Sequence, residues 1–105
     1  MIDIPIPKEF KIANQVIKVS QPEFIIEDGE YYFGQFSCTK NEIRVARRIK
    51  SGDEIIDVED EARKNTFWHE VYHCFNYFWN TETDECLAQS FANFTREFLA
   101  TANAE

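Results

Sequence analysis

Asp57-Val58-Glu59-Asp60-Glu61-Ala62-Arg63-Lys64-Asn65-Thr66-Phe67-Trp68-His69-Glu70-Val71-Tyr72-His73-Cys74-Phe75-Asn76-Tyr77-Phe78-Trp79 is the stretch on which the reading of this chain turns. Its opening acids suit a helix N-terminus, where the backbone dipole favours negative charge. The pattern predicts a helix from about Val58 to about Trp79. Projected at 100° per residue, Phe67, Trp68, Val71, Phe75, Phe78 and Trp79 share one broad apolar stripe. The chain's two histidines both fall in His69-Glu70-Val71-Tyr72-His73, on the opposite side, with Glu70 flanking them. The stripe is expected to dock on a sheet or another helix while the histidines face a cleft. Residues four apart lie one turn above each other on the same helical face. Two imidazoles can therefore converge on one metal ion, with the intervening glutamate beside it to hold a water. The bland alternative is a pair of surface histidines salt-bridged to neighbouring carboxylates.

Downstream, Asn80-Thr81-Glu82-Thr83 breaks the helical pattern and supplies hydroxyl caps. A second helix is expected from about Asp84 to about Ala100, with Leu87, Phe91, Phe94 and Phe98 as its core stripe. A catalytic zinc site takes three protein ligands and leaves one position for water. With no third histidine, the remaining ligand must be a carboxylate or a thiolate. Glu82, Asp84 and Glu85 cluster at the start of the second helix. Helix geometry favours Glu85, which borders the small residues Ala88 and Ala92 and so should face the first helix. An antiparallel partner would place Glu85 about one turn, ~5 Å, below His73 along the axis. Helices ~8–10 Å apart can bridge that offset with a modest tilt. Asp84 is shorter and points elsewhere. Cys74 and Cys86 adjoin candidate ligands in sequence but diverge from them by 100° on a helix, and read as small packing residues.

Upstream, the chain reads as strands. Residues 1–9, with Pro5 and Pro7, form an irregular lead-in. Alternating apolar residues from Phe10 to Val19 predict a β-hairpin with its turn at Asn14-Gln15, closed by Pro22. Phe24-Ile25-Ile26 is ended by the turn signal Glu27-Asp28-Gly29-Glu30. Tyr31 to Phe36 is aromatic and β-prone, and Asn41 to Arg48 carries Ile43, Val45 and Ala46 in an extended pattern. Cys38-Thr39-Lys40-Asn41 makes a tight connection between these two. Ser51-Gly52-Asp53 then marks the link to the helical half. The expected fold is α+β: a small antiparallel or mixed sheet of three to four strands, an active-site helix and a backing ligand helix, all in a single domain over 1–105.

Composition narrows the function classes. A 105-residue chain that is 44% hydrophobic, with ten Phe, four Tyr and two Trp, can furnish a core. Nineteen acids against eleven bases give a net charge of −8, which repels phosphate backbones and anionic membranes, so nucleic acid and membrane are not expected partners. The N-terminus lacks the basic and apolar regions of a secretory signal. Three cysteines do not form a disulfide-rich pattern. A reduced, cytoplasmic protein is expected.

Two segments bear a family resemblance. Thr66-Phe67-Trp68-His69-Glu70-Val71-Tyr72-His73 resembles the T-hydrophobic-x-H-E-hydrophobic-x-H segment of the gluzincins, the zincin metallopeptidases whose third ligand is glutamate. Glu85-Cys86-Leu87-Ala88-Gln89-Ser90-Phe91-Ala92 is similar to the E-x-x-A-x-x-F-A segment of their ligand helix, as in ImmA/IrrE-like and small phage-encoded metallopeptidases. Gly34-Gln35-Phe36 and Glu42-Ile43-Arg44-Val45 are similar to the two strands that precede the active-site helix in those proteins. The resemblance implies a minimal zincin-like fold that binds Zn2+ through His69, His73 and Glu85. It makes Glu70 the catalytic base and the last sheet strand, around Glu42 to Arg47, the edge that holds an extended peptide or protein substrate. Gln89, four residues after Glu85, stands where thermolysin-like gluzincins carry an aspartate that orients a zinc histidine. An amide oxygen can accept the imidazole N–H, but without the carboxylate's charge.

The mechanism so implied uses zinc to acidify a water and polarise the scissile carbonyl, with Glu70 shuttling the proton. Gluzincins also carry a Tyr, His or Arg that stabilises the oxyanion. After Glu85 this chain has neither His nor Tyr, and its only cation there is Arg96, nearly three turns down the helix. Tyr77, Tyr31 and Tyr32 are the remaining candidates and read more naturally as core and rim. A zinc metallopeptidase of weak or narrow activity is therefore the leading expectation. The alternative is a non-catalytic, zinc-stabilised protein-interaction domain, and a third is an interaction module with no metal. Glu70 favours the enzyme, because a structural site fills all four positions with protein ligands and needs no free carboxylate.

Overall fold

The alternating residues of the N-terminal segment form β1 (Glu9–Ile12) and β2 (Gln15–Ser20), paired antiparallel with Phe10 opposite Ile17. In this computed structural model, which describes residues 4–79 and 85–101, the two turn residues are Ala13 and Asn14, at φ 50° and 62°. Two successive positive φ values make the type I′ turn whose twist matches the flanking strands. The turn thus lies one residue earlier than Asn14-Gln15, and Gln15 already belongs to β2. No glycine is required because Asn14 accepts the left-handed region readily. A second short hairpin pairs β3 (Ile26–Glu27) with β4 (Glu30–Tyr31) around Asp28-Gly29, again both at positive φ.

Gly34–Ser37 and Glu42–Val45 form β5 and β6, an antiparallel pair joined by the tight turn at residues 38–41. Strand β2 pairs with β6 in parallel, Val19 lying opposite Ile43. The sheet is therefore mixed and four-stranded, in the order β1-β2-β6-β5. This order corrects the expected substrate edge around Glu42 to Arg47: β6 lies in the interior of the sheet, and β5 is the outer strand. Ile43 and Val45 are fully buried, so β6 is the core strand of the sheet. The parallel β2–β6 pairing leaves no local turn signal in the sequence, so this strand order could not be read from it.

A further correction concerns Ser51-Gly52-Asp53, expected as a link into the helix. It is the tip of a hairpin, β7 (Arg48–Ser51) with β8 (Glu54–Asp57), in which Arg48 and Asp57 are paired both in register and by a 2.8 Å ion pair. Ile55 and Ile56 are exposed on it. With little of the hairpin buried, its strands gave no alternating hydrophobic signal. Val58 N–H donates to the Arg47 carbonyl at 2.8 Å, which fixes the path from the hairpin into α1 (Asp60–Trp79). Asp60 and Glu61 occupy the first turn, and Lys64 pairs with Asp60 at 3.3 Å.

Helix α1 is covered on two sides, by β5 and β6 and by α2 (Glu85–Thr101). Phe67 and Cys74 join Ile17, Ile43 and Val45 in the core, with Trp68, Val71 and Phe78 packed against them. The expected stripe holds for those residues but not for Phe75 and Trp79, which are exposed and stacked on each other with centroids 5.4 Å apart. In their place the buried set includes the polar Glu70 and Asn76. On α2 the face against α1 is made of the fully buried Ala88 and Ala92, whose small side chains allow close approach. Leu87, expected in the core, is exposed. The side chains of Phe94 and Phe98, and the connection Asn80-Thr81-Glu82-Thr83, lie outside the described residues. Among those described, no helix is long and apolar enough to cross a membrane.

Candidate metal centre

The two helices run antiparallel, as side-chain pairs along their interface show: Glu61 meets Arg96, Asn65 meets Asn93, and His69 meets Gln89 and Glu85. At the end nearest the interhelix connection, the His69 and His73 rings sit one turn apart with centroids separated by 4.9 Å. Both His Nε2 atoms point at one carboxylate: His69 at Glu85 Oε2 (2.8 Å) and His73 at Glu85 Oε1 (3.1 Å). Burial lowers the His73 pKa; Glu85 opposes this and His69 adds to it. A lowered pKa favours the neutral imidazole, the form that ligates metals. His69, Glu70 and His73 each offer a donor atom within 4.8 Å of the other two, a group that could hold a metal ion. Glu85 closes this group from the second helix, while Glu70 stands to one side. The cleft in front of them, about 640 Å³, is bounded by β5 residues Gly34, Gln35 and Phe36 opposite the two helices.

Glu70 is the buried carboxylate of the centre, only 8% exposed. Its pKa is pushed up to about 7, chiefly by burial, with His69 acting to lower it and Glu85 to raise it. The space it occupies exists because residue 34 is glycine. A Cβ at Gly34 would come within 2.4 Å of Thr66 Cγ2 and 3.2 Å of both Glu70 Cγ and Oε2. Reading Gly34 as one member of a β-prone run missed this role. The available signal was a glycine inside a strand, which often marks close approach by another group. Gly34→Ala should destabilise the fold by about 1–3 kcal/mol, the usual cost of overpacking. Thr66 is β-branched and stiff at χ1, so it cannot simply swing aside. Adding Thr66→Ser should recover part of the loss, and a double-mutant cycle by denaturant melts checks this coupling.

Of the other third-ligand candidates, Glu82 and Asp84 lie outside the described residues. Cys74 is buried in the core with its thiol pKa pushed up to about 12 by burial and then by Glu70. Cys86 is exposed, which corrects its reading as a packing residue. Gln89 Oε1 lies 3.2 Å from His69 Nδ1, where an orienting acceptor was expected. None of the candidate oxyanion donors lines the cleft. Arg96 binds the Glu61 carboxylate and carbonyl and the Asn65 amide oxygen. Tyr31 packs on Phe24, Tyr32 donates to Glu30, and Tyr77 packs between Phe36 and Phe78. Comparison with protein-family models, with curated proteins and with solved structures returns no match.

Proposed function

We propose that this chain is a minimal zinc metallopeptidase of the gluzincin type, with a zincin-like arrangement of sheet, active-site helix and ligand helix. The observation that carries the reading is the Glu85 carboxylate spanning both imidazoles while a buried Glu70 stands beside them. Two imidazole nitrogens and a carboxylate oxygen are a characteristic catalytic zinc set. Their 2.8 and 3.1 Å separations are close to the roughly 3.3 Å expected between ligand atoms 2.0–2.1 Å from a tetrahedral ion. His69, His73 and Glu85 would hold the ion. When bound, zinc supplies Lewis acidity that polarises a scissile carbonyl and lowers the pKa of a water to ~7.

Glu70 then accepts the water proton at its carboxylate and passes it to the leaving amine. A base must be ionised to take a proton; burial disfavours the Glu70 carboxylate in the metal-free protein, and a zinc ion beside it would favour it. The outer edge of β5, Gly34–Ser37, borders the cleft and has no strand partner on that side among the described residues. An extended peptide or protein substrate adding to this edge would lie across the centre.

One observation favours a second reading, a non-catalytic zinc-stabilised interaction domain: no Tyr or Arg side chain lines the cleft among the described residues. The enzyme reading therefore goes with weak or narrow activity. The test is cleavage of a mixed peptide library by zinc-loaded protein, abolished by a chelator and restored by zinc. Stoichiometric zinc binding without cleavage of the library or of candidate protein partners would favour the second reading.

A further inference from the structure

A hydrogen-bonded chain runs along the helix interface from the candidate metal centre to the far end of α1. Arg96 pairs with Glu61 and donates from Nη1 to Asn65 Oδ1 at 3.0 Å. Asn65 Nδ2 donates to Asn93 Oδ1 at 2.8 Å, and Gln89 Nε2 donates to the same oxygen at 3.3 Å. Gln89 Oε1 then faces His69 Nδ1 at 3.2 Å. The two ends of an amide have the same shape but opposite hydrogen-bonding roles, so their neighbours decide which way they point. Here the direction has one source. A guanidinium has donors only, so Asn65 must turn its oxygen to Arg96 and its NH2 to Asn93. Asn93 must answer with its oxygen, and Gln89 must donate to that oxygen, which leaves the Gln89 carbonyl oxygen for His69.

We propose that Arg96, Asn65 and Asn93 are positioning residues that fix the His69 tautomer through Gln89. With the imidazole proton held on Nδ1, the Nε2 lone pair is left for an ion that would lie between it and Glu85, 2.8 Å away. A lone aspartate would achieve this by being acceptor-only at both oxygens. The amide at position 89 does so in the orientation selected by a donor-only residue three side chains away. The inference rests on the reading of His69 as a metal ligand.

Two substitutions that each add one negative charge separate direction from charge. Asn93→Asp keeps an acceptor where Asn65 and Gln89 donate, so the order of donors survives. Asn65→Asp keeps the Arg96 partner but replaces the NH2 by an acceptor. Asn93 must then reverse, Gln89 must reverse, and an N–H is aimed at His69 Nδ1. Zinc titration calorimetry should show Asn65→Asp weakened by about 10–100-fold, the range for loss of an outer partner of a zinc histidine, with Asn93→Asp close to wild type. Nitrogen-15 spectra of the zinc-loaded protein should show a protonated His69 Nδ1 in wild type and Asn93→Asp. Zinc on Nε2 keeps the proton on Nδ1 in every variant, so Asn65→Asp should displace that signal and speed its exchange with solvent because the Nδ1–H has lost its acceptor, with the His73 signals unchanged as an internal control. Arg96→Met should reproduce the loss in part, and circular dichroism shows whether each variant stays folded. Equal affinities and equal His69 spectra in both aspartate variants, with zinc bound by wild type, would overturn the relay alone. Absence of zinc binding by wild type would overturn the relay and the metal-site reading together.

Discussion

Alanine at His69, at His73 or at Glu85 is expected to abolish stoichiometric zinc binding. Each removes a ligand outright, so each loss should well exceed the ~10–100-fold typical of a missing outer-shell partner. Glu85→Ala is the most informative of the three, because among the described residues its carboxylate is the group that touches both imidazoles. Zinc retained in Glu85→Ala would remove Glu85 as the third ligand. The same experiment reads stability. The ligands come from two separate helices, so an ion that binds only the folded chain stabilises their pairing. At zinc 100-fold above its Kd the gain is about 2.7 kcal/mol, or roughly 10–20 °C in melting temperature for a domain of this size. A chelator should lower wild type by that amount and leave the three alanine variants unmoved. Zinc affinity should also fall as pH falls, because protons compete for the imidazoles.

The convergence of His69, His73 and Glu85 could be read from the chain because helix geometry links sequence spacing directly to space. Four residues return a side chain to the same face, and Ala88 and Ala92 mark the face of the second helix that can approach closely. Both inferences needed only one element at a time. The errors arose where position depends on several elements together. The place of β6 inside the sheet follows from its parallel pairing with β2, across more than twenty residues of intervening chain. Phe75 and Trp79 fell on the apolar projection of α1, yet α1 lies between a sheet and a helix. Its buried surface therefore includes Glu70 and Asn76 and omits two large aromatics. The β7–β8 hairpin escaped notice because Ile55 and Ile56 are adjacent and exposed rather than alternating into a core. The clearance that Gly34 gives Glu70 was equally out of reach, since it depends on how β5 docks against α1.

Glu70→Gln is expected to keep the metal and the fold while cutting peptide hydrolysis by ~10²–10⁴-fold, the usual contribution of a general base. The exchange preserves the shape that fits against Gly34 and Thr66. It also removes a carboxylate whose burial already disfavours charge, so the variant should melt no lower than wild type. Glutamine can still hydrogen-bond a water but cannot take its proton at neutral pH. A purely structural role for Glu70 gives a different pattern, in which stability changes and any hydrolysis does not. Zinc content, melting temperature and library cleavage, measured on the same preparations, separate the two outcomes. Equal cleavage by wild type and Glu70→Gln would remove Glu70 as the base while leaving the metal ligands in place.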